Sequence, residues 1–250
     1  MSYDSLVRRI PRRMFFVMLA LVAVVGFAVS SQARASQPRD DDRASQVRNV
    51  ESPINIAVLI QDDLISQVGN ELGVTADFIR SLPKGSRVMV GYITTGTLQV
   101  RQPFTTDLAS AASSLRIPLA TTAASPYNPY VEVIEALRQF NSSWQNQNVV
   151  LLVSDGLDTS RGFDVTTAAN TVDLLRATRE ANTRNVNVYS FYAPSVGLTS
   201  HNRLAASYGQ SSLNRISNET GGKAFFQGTT GFVTFDPYFA ELRRALNRRT

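Results

Sequence analysis

Three oxygen-rich stretches hold most of the side chains able to do chemistry: Gln61-Asp62-Asp63-Leu64-Ile65-Ser66, Thr121-Thr122-Ala123-Ala124-Ser125-Pro126-Tyr127 and Ser154-Asp155-Gly156. Carboxylates and hydroxyls suit a hard divalent cation, Mg²⁺ or alternatively Mn²⁺ or Ca²⁺. The carboxylates of the three stretches are Asp62, Asp63 and Asp155, and their hydroxyls include those of Ser66, Thr121, Thr122, Ser125 and Ser154. Brought together, the three aspartates repel one another unless a cation or a basic group sits among them. The simpler alternative has Asp62 or Asp63 capping the following helix and Asp155 accepting hydrogen bonds from loop amides. No cofactor beyond such a cation is expected. A different use of the same carboxylates is hydrolysis, with Asp62 or Asp63 as the nucleophile of a metal-dependent phosphatase-like enzyme. A D-x-D phosphatase needs a second carboxylate two residues on, and Asp62 is followed there by Leu64. The 250 residues contain no cysteine and a single histidine, His201. Thiolate chemistry is thereby excluded, and neither a Ser-His-Asp triad nor a multi-histidine metal site is easily built.

The elements around these stretches alternate. Ile54–Ile60 and Val149–Val153 are short, β-branched apolar runs of the kind buried on both faces of a parallel sheet. Arg87–Thr94 and Thr97–Arg101 flank Thr95-Gly96 and read as a hairpin. Val186–Tyr192 is a further strand, and Lys223–Gln227 a short edge strand after Gly221-Gly222. Helical spacing connects them: Val68 to Leu82, a helix capped by Asp107, Tyr130–Phe140, Thr166–Asn182, His201–Ser217, and Tyr238–Arg248 with Asp236 as cap. The expectation is an α/β fold, a doubly wound, mostly parallel six-stranded sheet with one antiparallel edge hairpin and helices on both faces. Ligands of such sheets bind outside the carboxyl ends of the strands, where Gln61–Ser66 and Ser154–Gly156 fall.

The formal net charge of +5 suggests nucleic acid until it is located. Residues 1–35 carry Arg8, Arg9, Arg12, Arg13 and Arg34 against Asp4 alone. Removing those five from 25 basic residues and that one from 20 acidic ones leaves 20 against 19, so no nucleic-acid partner is expected. The same segment reads as a secretory signal peptide: an arginine-rich start, an uncharged run from Met14 to Val29, and Ala33-Arg34-Ala35 as the cleavage site. As a helix that run reaches about 24 Å, short of a ~30 Å hydrocarbon core, so contact with a membrane is expected only if the segment stays uncleaved. Arg12-Arg13-Met14-Phe15-Phe16 is similar to a twin-arginine signal, although Pro11 precedes the pair and general secretion is favoured. Residues 36–52 are polar and read as a linker, and 53–250 as the folded domain.

The stretches IAVLIQDD and VVLLVSDG, the segment NETGGKAFF and the order of elements resemble a von Willebrand factor A (VWA) domain over about residues 54–248, closest to the bacterial secreted group. That family holds its metal through D-x-S-x-S on the first loop, a threonine on the second and the aspartate of a D-G pair on the third. Position by position, Gln61, Asp63 and Ile65 stand in the first motif; a shift of one sets Asp62, Leu64 and Ser66 there instead. Ser125 replaces the threonine and Asp155 fills the D-G pair, so the metal motif is degraded in either register, and the resemblance implies Asp62, Asp63, Ser66, Ser125 and Asp155 as the candidate ligands. The resemblance implies an exported, non-enzymatic domain that binds a protein or an envelope or matrix component through the loop edge, with or without a divalent cation. A metal-free structural subunit of an envelope assembly remains the alternative beside the hydrolase.

Overall fold

A computed structural model describes residues 52–120, 127–164, 170–228 and 233–248. The central strand β1 (Ile54–Gln61) is buried at all eight positions. It lies between β2 (Arg87–Thr94) and β4 (Gln147–Ser154), parallel to both. β5 (Val186–Tyr192) extends the parallel sheet from β4, and the two-residue β6 (Ala224–Phe225) closes that edge. On the other side β3 (Thr97–Thr105) runs antiparallel to β2, giving the order β3-β2-β1-β4-β5-β6. This is the expected α/β sheet with its antiparallel edge hairpin. β3 is longer than its apolar alternation suggested, because pairing with β2 continues through two register shifts to Thr105.

Period-two alternation explains why the central strands are apolar throughout. Ile54, Ile56, Val58 and Ile60 of β1 and Val149, Leu151 and Val153 of β4 pack on one face of the sheet. Ala57, Leu59, Val150 and Leu152 pack on the other. The first face is covered by α1 (Leu72–Arg80), α2 (Leu108–Ser113) and α7 (Asp236–Asn247). There Phe191 sits within 5.4 Å, ring centre to ring centre, of Phe225, Phe235, Tyr238 and Phe239. The second face is covered by α3 (Pro129–Leu137), α4 (Val172–Thr183) and α6 (Arg203–Glu219).

Asp107 caps α2 as expected, its carboxylate accepting from the Ser110 amide at 3.0 Å. Several other helix ends differ from expectation. Phe235 stands at the N-cap of α7 without a side-chain cap, and Asp236 falls inside the first turn beside Pro237, where its charge meets the helix dipole. Thr171 caps α4, so that helix starts six residues later than its spacing suggested. Asn202 divides the last-but-one helical stretch into a four-residue α5 (Leu198–His201) and α6 by accepting from the amides of Leu204 and Ala205. After β1 the chain passes through a 3-10 helix, Ser66–Glu71, preceded by Ile65; neither Asp62 nor Asp63 caps it. Residues 1–51, with the signal segment and nearly all of the linker, lie outside the described residues, as does Ser125. Among the described residues no helix is long and apolar enough to cross a membrane.

Candidate binding edge

The strand order reverses at β1, so the carboxyl ends of β1 and β4 form the crevice where sheets of this kind take ligands. Gln61 ends β1 there and is 1% exposed. Its Oε1 accepts from the Ser154 hydroxyl at 2.5 Å and from the Asp155 amide at 3.2 Å. A backbone N–H can only donate, which assigns the oxygen to that side and turns Nε2 toward Asp63, whose Oδ1 it reaches at 2.7 Å. Ser154 Oγ in turn accepts from the Gly156 amide at 2.9 Å. One side-chain amide thus ties together β1, the loop after it and the loop after β4.

Asp155 is buried behind this amide. Its Oδ1 accepts from the Leu157 amide and its Oδ2 from the Thr199 hydroxyl, both at 3.1 Å. Thr199 Oγ1 accepts from the Ser195 amide at 2.8 Å, which brings the segment after β5 into the same network. That segment also pairs with the first loop: the Val196 amide donates to Asp63 O at 2.8 Å, and the Ile65 amide to Pro194 O at 3.0 Å. Burial raises the Asp155 pKa above the carboxylate range, against the opposing pull of its hydrogen bonds. Asp63 is pushed up to about 7, first by burial and then by the charge of Asp155, with the Gln61 hydrogen bond working the other way.

Two glycines set how deep Asp155 lies. A Cβ on Gly209 of α6 would come within 1.9 Å of Asp155 O, and Gly156 has φ +75° with its Cβ position 2.3 Å from Gly209 O. Backbone therefore lies on backbone where α6 crosses the loop. Tyr130 of α3 donates its hydroxyl to Gly156 O at 2.6 Å from the other side.

Asp62 faces away from this network. Arg116 grips it with both guanidinium arms, Nη1 to Oδ1 at 2.6 Å and Nη2 to Oδ2 at 2.9 Å. The Leu119 amide adds a third donor at 3.0 Å, and the Ala120 amide binds Asp62 O at 3.0 Å. The Arg116 guanidinium lies 4.0 Å over the Tyr92 ring. Tyr92 Oη accepts from the Arg116 amide at 2.6 Å and donates to Arg116 O at 2.7 Å. The hydrogen bond to Asp62 holds the Arg116 pKa above its ordinary value. Segment 116–120 is thereby tied to β1 and β2 at both ends, and between its anchors Ile117 and Leu119 are 61% and 63% exposed.

Of the five candidate ligands, then, the structure brings together Asp63 and Asp155. Asp62 is consumed by Arg116, Ser66 is exposed with its hydroxyl 3.5 Å from Gln67 Oε1, and Ser125 is not among the described residues. The described donors do not suit a hard divalent cation: a neutral carboxamide presents an N–H between the two remaining acids, and Ile65 supplies no oxygen. Among the described residues no three His, Cys, Asp or Glu side chains are grouped to hold a metal. His201 is exposed at the end of α5. Gln61, Ser154 and Asp155 were legible as strand-end polar residues, whereas Arg116 and Thr199 were missed. The one signal for Arg116 was that no other base lies between Arg101 and Arg138, so an acid buried at this end of the sheet had few partners.

Sheet order, flanking helices and loop crevice together define a VWA-type fold. No family model and no curated protein matches the sequence. Among solved structures, the conserved hypothetical protein BatB from Bacteroides thetaiotaomicron is similar at 13% identity and a TM-score of 0.55, covering 78% of this chain and 97% of that one. An aerotolerance-related membrane protein from Bacteroides fragilis NCTC 9343, crystallised with multiple mutations to serine, is 12% identical with a TM-score of 0.53, covering 78% and 98%. The VWA domain of SpRpn10 is a looser match, 10% identical with a TM-score of 0.47, covering 80% and 96%. At such identities the first two likenesses speak to the fold alone and leave the chemistry to the residues.

Proposed function

We propose that this chain is an exported, non-enzymatic protein-binding domain that engages a protein or envelope component with the loop edge of its sheet. The observation that carries the reading is the pair Ile117 and Leu119, held exposed on a segment braced by Arg116, Asp62 and Tyr92. A braced loop loses little conformational freedom when a partner covers it, so its apolar side chains act as preorganised contact points. The VWA-type fold supports the same reading, since such domains commonly mediate protein–protein interaction. Export rests on the arginine-rich start, apolar run and Ala33-Arg34-Ala35 of the first 35 residues. Hydrolysis by Asp62 is disfavoured because it is 4% exposed and its carboxylate already accepts from three donors, two of them the Arg116 guanidinium that neutralises its charge.

Photo-crosslinking in the producing cell tests this reading. A photoreactive side chain at Leu119 should give one discrete protein adduct that Ile117→Asp abolishes, while the same probe at exposed Arg244 on α7 should not give it. No adduct at 119, or the same adducts at 119 and 244, would refute a partner site at this edge.

A further inference from the structure

Asp63 and Asp155 pose a problem that the rest of the fold solves only in part: Asp155 accepts from the Leu157 amide and the Thr199 hydroxyl, whereas the side chain that donates to Asp63 is Gln61. Both carboxylates are buried beside the crevice, at 9% and 4% exposure, and Arg116, which could have answered them, is spent on Asp62. Two acids in one pocket require positive charge, hydrogen-bond donors or a bound cation between the loops that carry them. The nearest donor is the Gln61 amide, 2.7 Å from Asp63, whose carbonyl end holds Ser154 Oγ and the Asp155 amide. We infer that the Gln61 carboxamide is the permanent cross-link of this edge, performing in this chain the loop-joining work that a divalent cation would otherwise do, so that the edge is assembled and ready for a partner without metal.

The geometry explains why an amide suits this place. It offers a donor at one end and an acceptor at the other while staying uncharged at every pH. Here the donor end meets a carboxylate, and the acceptor end meets a hydroxyl and a backbone N–H. A carboxylate at position 61 would keep the Ser154 and Asp155 bonds, lose the donor to Asp63 and add a third acid to the pocket. That is the change that creates a demand for a cation. The amide holds the edge in the same way whichever partner the edge receives.

Gln61→Glu, almost isosteric with the native side chain, puts this to the test in the full chain. In EDTA at about pH 8, where Asp63 is ionised and cannot donate to Glu at 61 in place of the lost amide, the variant should melt several degrees below the parent, and millimolar Mn²⁺ should restore it with one Mn²⁺ bound per chain, read by loss of the free-Mn²⁺ paramagnetic resonance signal. The unaltered chain should show neither a melting shift nor uptake of Mn²⁺ between EDTA and millimolar Mn²⁺; ligand binding at ~100 times Kd would otherwise move a domain of this size by roughly 5–10 °C. Should Gln61→Glu not fold, Gln61→Met serves: hydrogen exchange at the Asp155 and Gly156 amides should speed up at least tenfold, with no response to Mn²⁺. Stoichiometric uptake of Mn²⁺ by the unaltered chain, abolished by Asp155→Asn, would overturn the inference. So would a Gln61→Glu chain that melts like the parent in EDTA, or unchanged exchange in Gln61→Met.

Discussion

Replacing Asp63 with asparagine should change how stability depends on pH more than it changes stability at any single acid pH. Burial and the neighbouring Asp155 raise the Asp63 pKa from 3.8 to about 7 in the folded chain. The folded state therefore holds this proton more tightly than the unfolded state does. The resulting stability is complete below about pH 4, declines as pH rises from there, and is lost once pH passes about 7. Each pKa unit corresponds to about 1.4 kcal/mol, so the full loss is at most about 4 kcal/mol. An asparagine side chain at this position stays neutral at every pH, and its oxygen can still accept from Gln61 Nε2. Urea denaturation of both proteins in EDTA, followed by circular dichroism at about pH 4, 6, 7 and 8, isolates the effect. Near pH 4 the two should agree to within about 1 kcal/mol, and near pH 8 the variant should be the more stable by about 2–4 kcal/mol. As a melting temperature that difference is roughly 5–15 °C. Because Asp63 and Asp155 act on one another, the comparison reads the titration of the pair rather than of Asp63 alone. Parallel curves would mean that Asp63 ionises as it does in water. A variant less stable than the parent near pH 8 would mean that charged Asp63 is compensated by a group or ion absent from the network described above.

Other perturbations reach separate parts of the edge. Arg116→Ala leaves Asp62 buried without its guanidinium and should cost about 3–4 kcal/mol in urea, whereas Arg116→Ala with Asp62→Asn should recover more than half of that; equal losses in both would deny the pair its role. Gly209→Ala drives a methyl group into Asp155 O, and a melting temperature within about 2 °C of the parent would show that α6 and the loop are not packed backbone to backbone. Tyr130→Phe removes the buried hydrogen bond to Gly156 O and should cost about 1–2 kcal/mol by the same urea assay, a value near zero meaning that the bond is not formed in solution. Glu132, raised to about 7 chiefly by burial and with Oε2 lacking a hydrogen-bond partner, should behave like Asp63. Glu132→Gln should stabilise near pH 8 by about 2–3 kcal/mol and leave stability near pH 4 unchanged, and a pH-independent effect would contradict this.

The alternating strands and helices were legible in the sequence because burial on both faces leaves a strand little choice but a continuous β-branched run. Ile54–Ile60 and Val149–Val153 show this most plainly, and they led to the VWA-type sheet and to its carboxyl edge as the place to look. Asp107 as a cap and Asp155 as an acceptor of a loop amide were legible for a related reason: short polar side chains bond to backbone nearby in the chain. The fates of Asp62 and Asp63 were not. They are adjacent and chemically alike, yet one is clasped by an arginine 54 residues away and the other meets the amide of Gln61. Both lie in the turn just past the end of β1, where strand alternation no longer fixes which way a side chain points. That direction was decided by where β1 ends against β2 and β4, and by Tyr92 and Arg116 waiting on one side and Ser154 on the other. Those are long-range contacts, and only the folded chain brings them together.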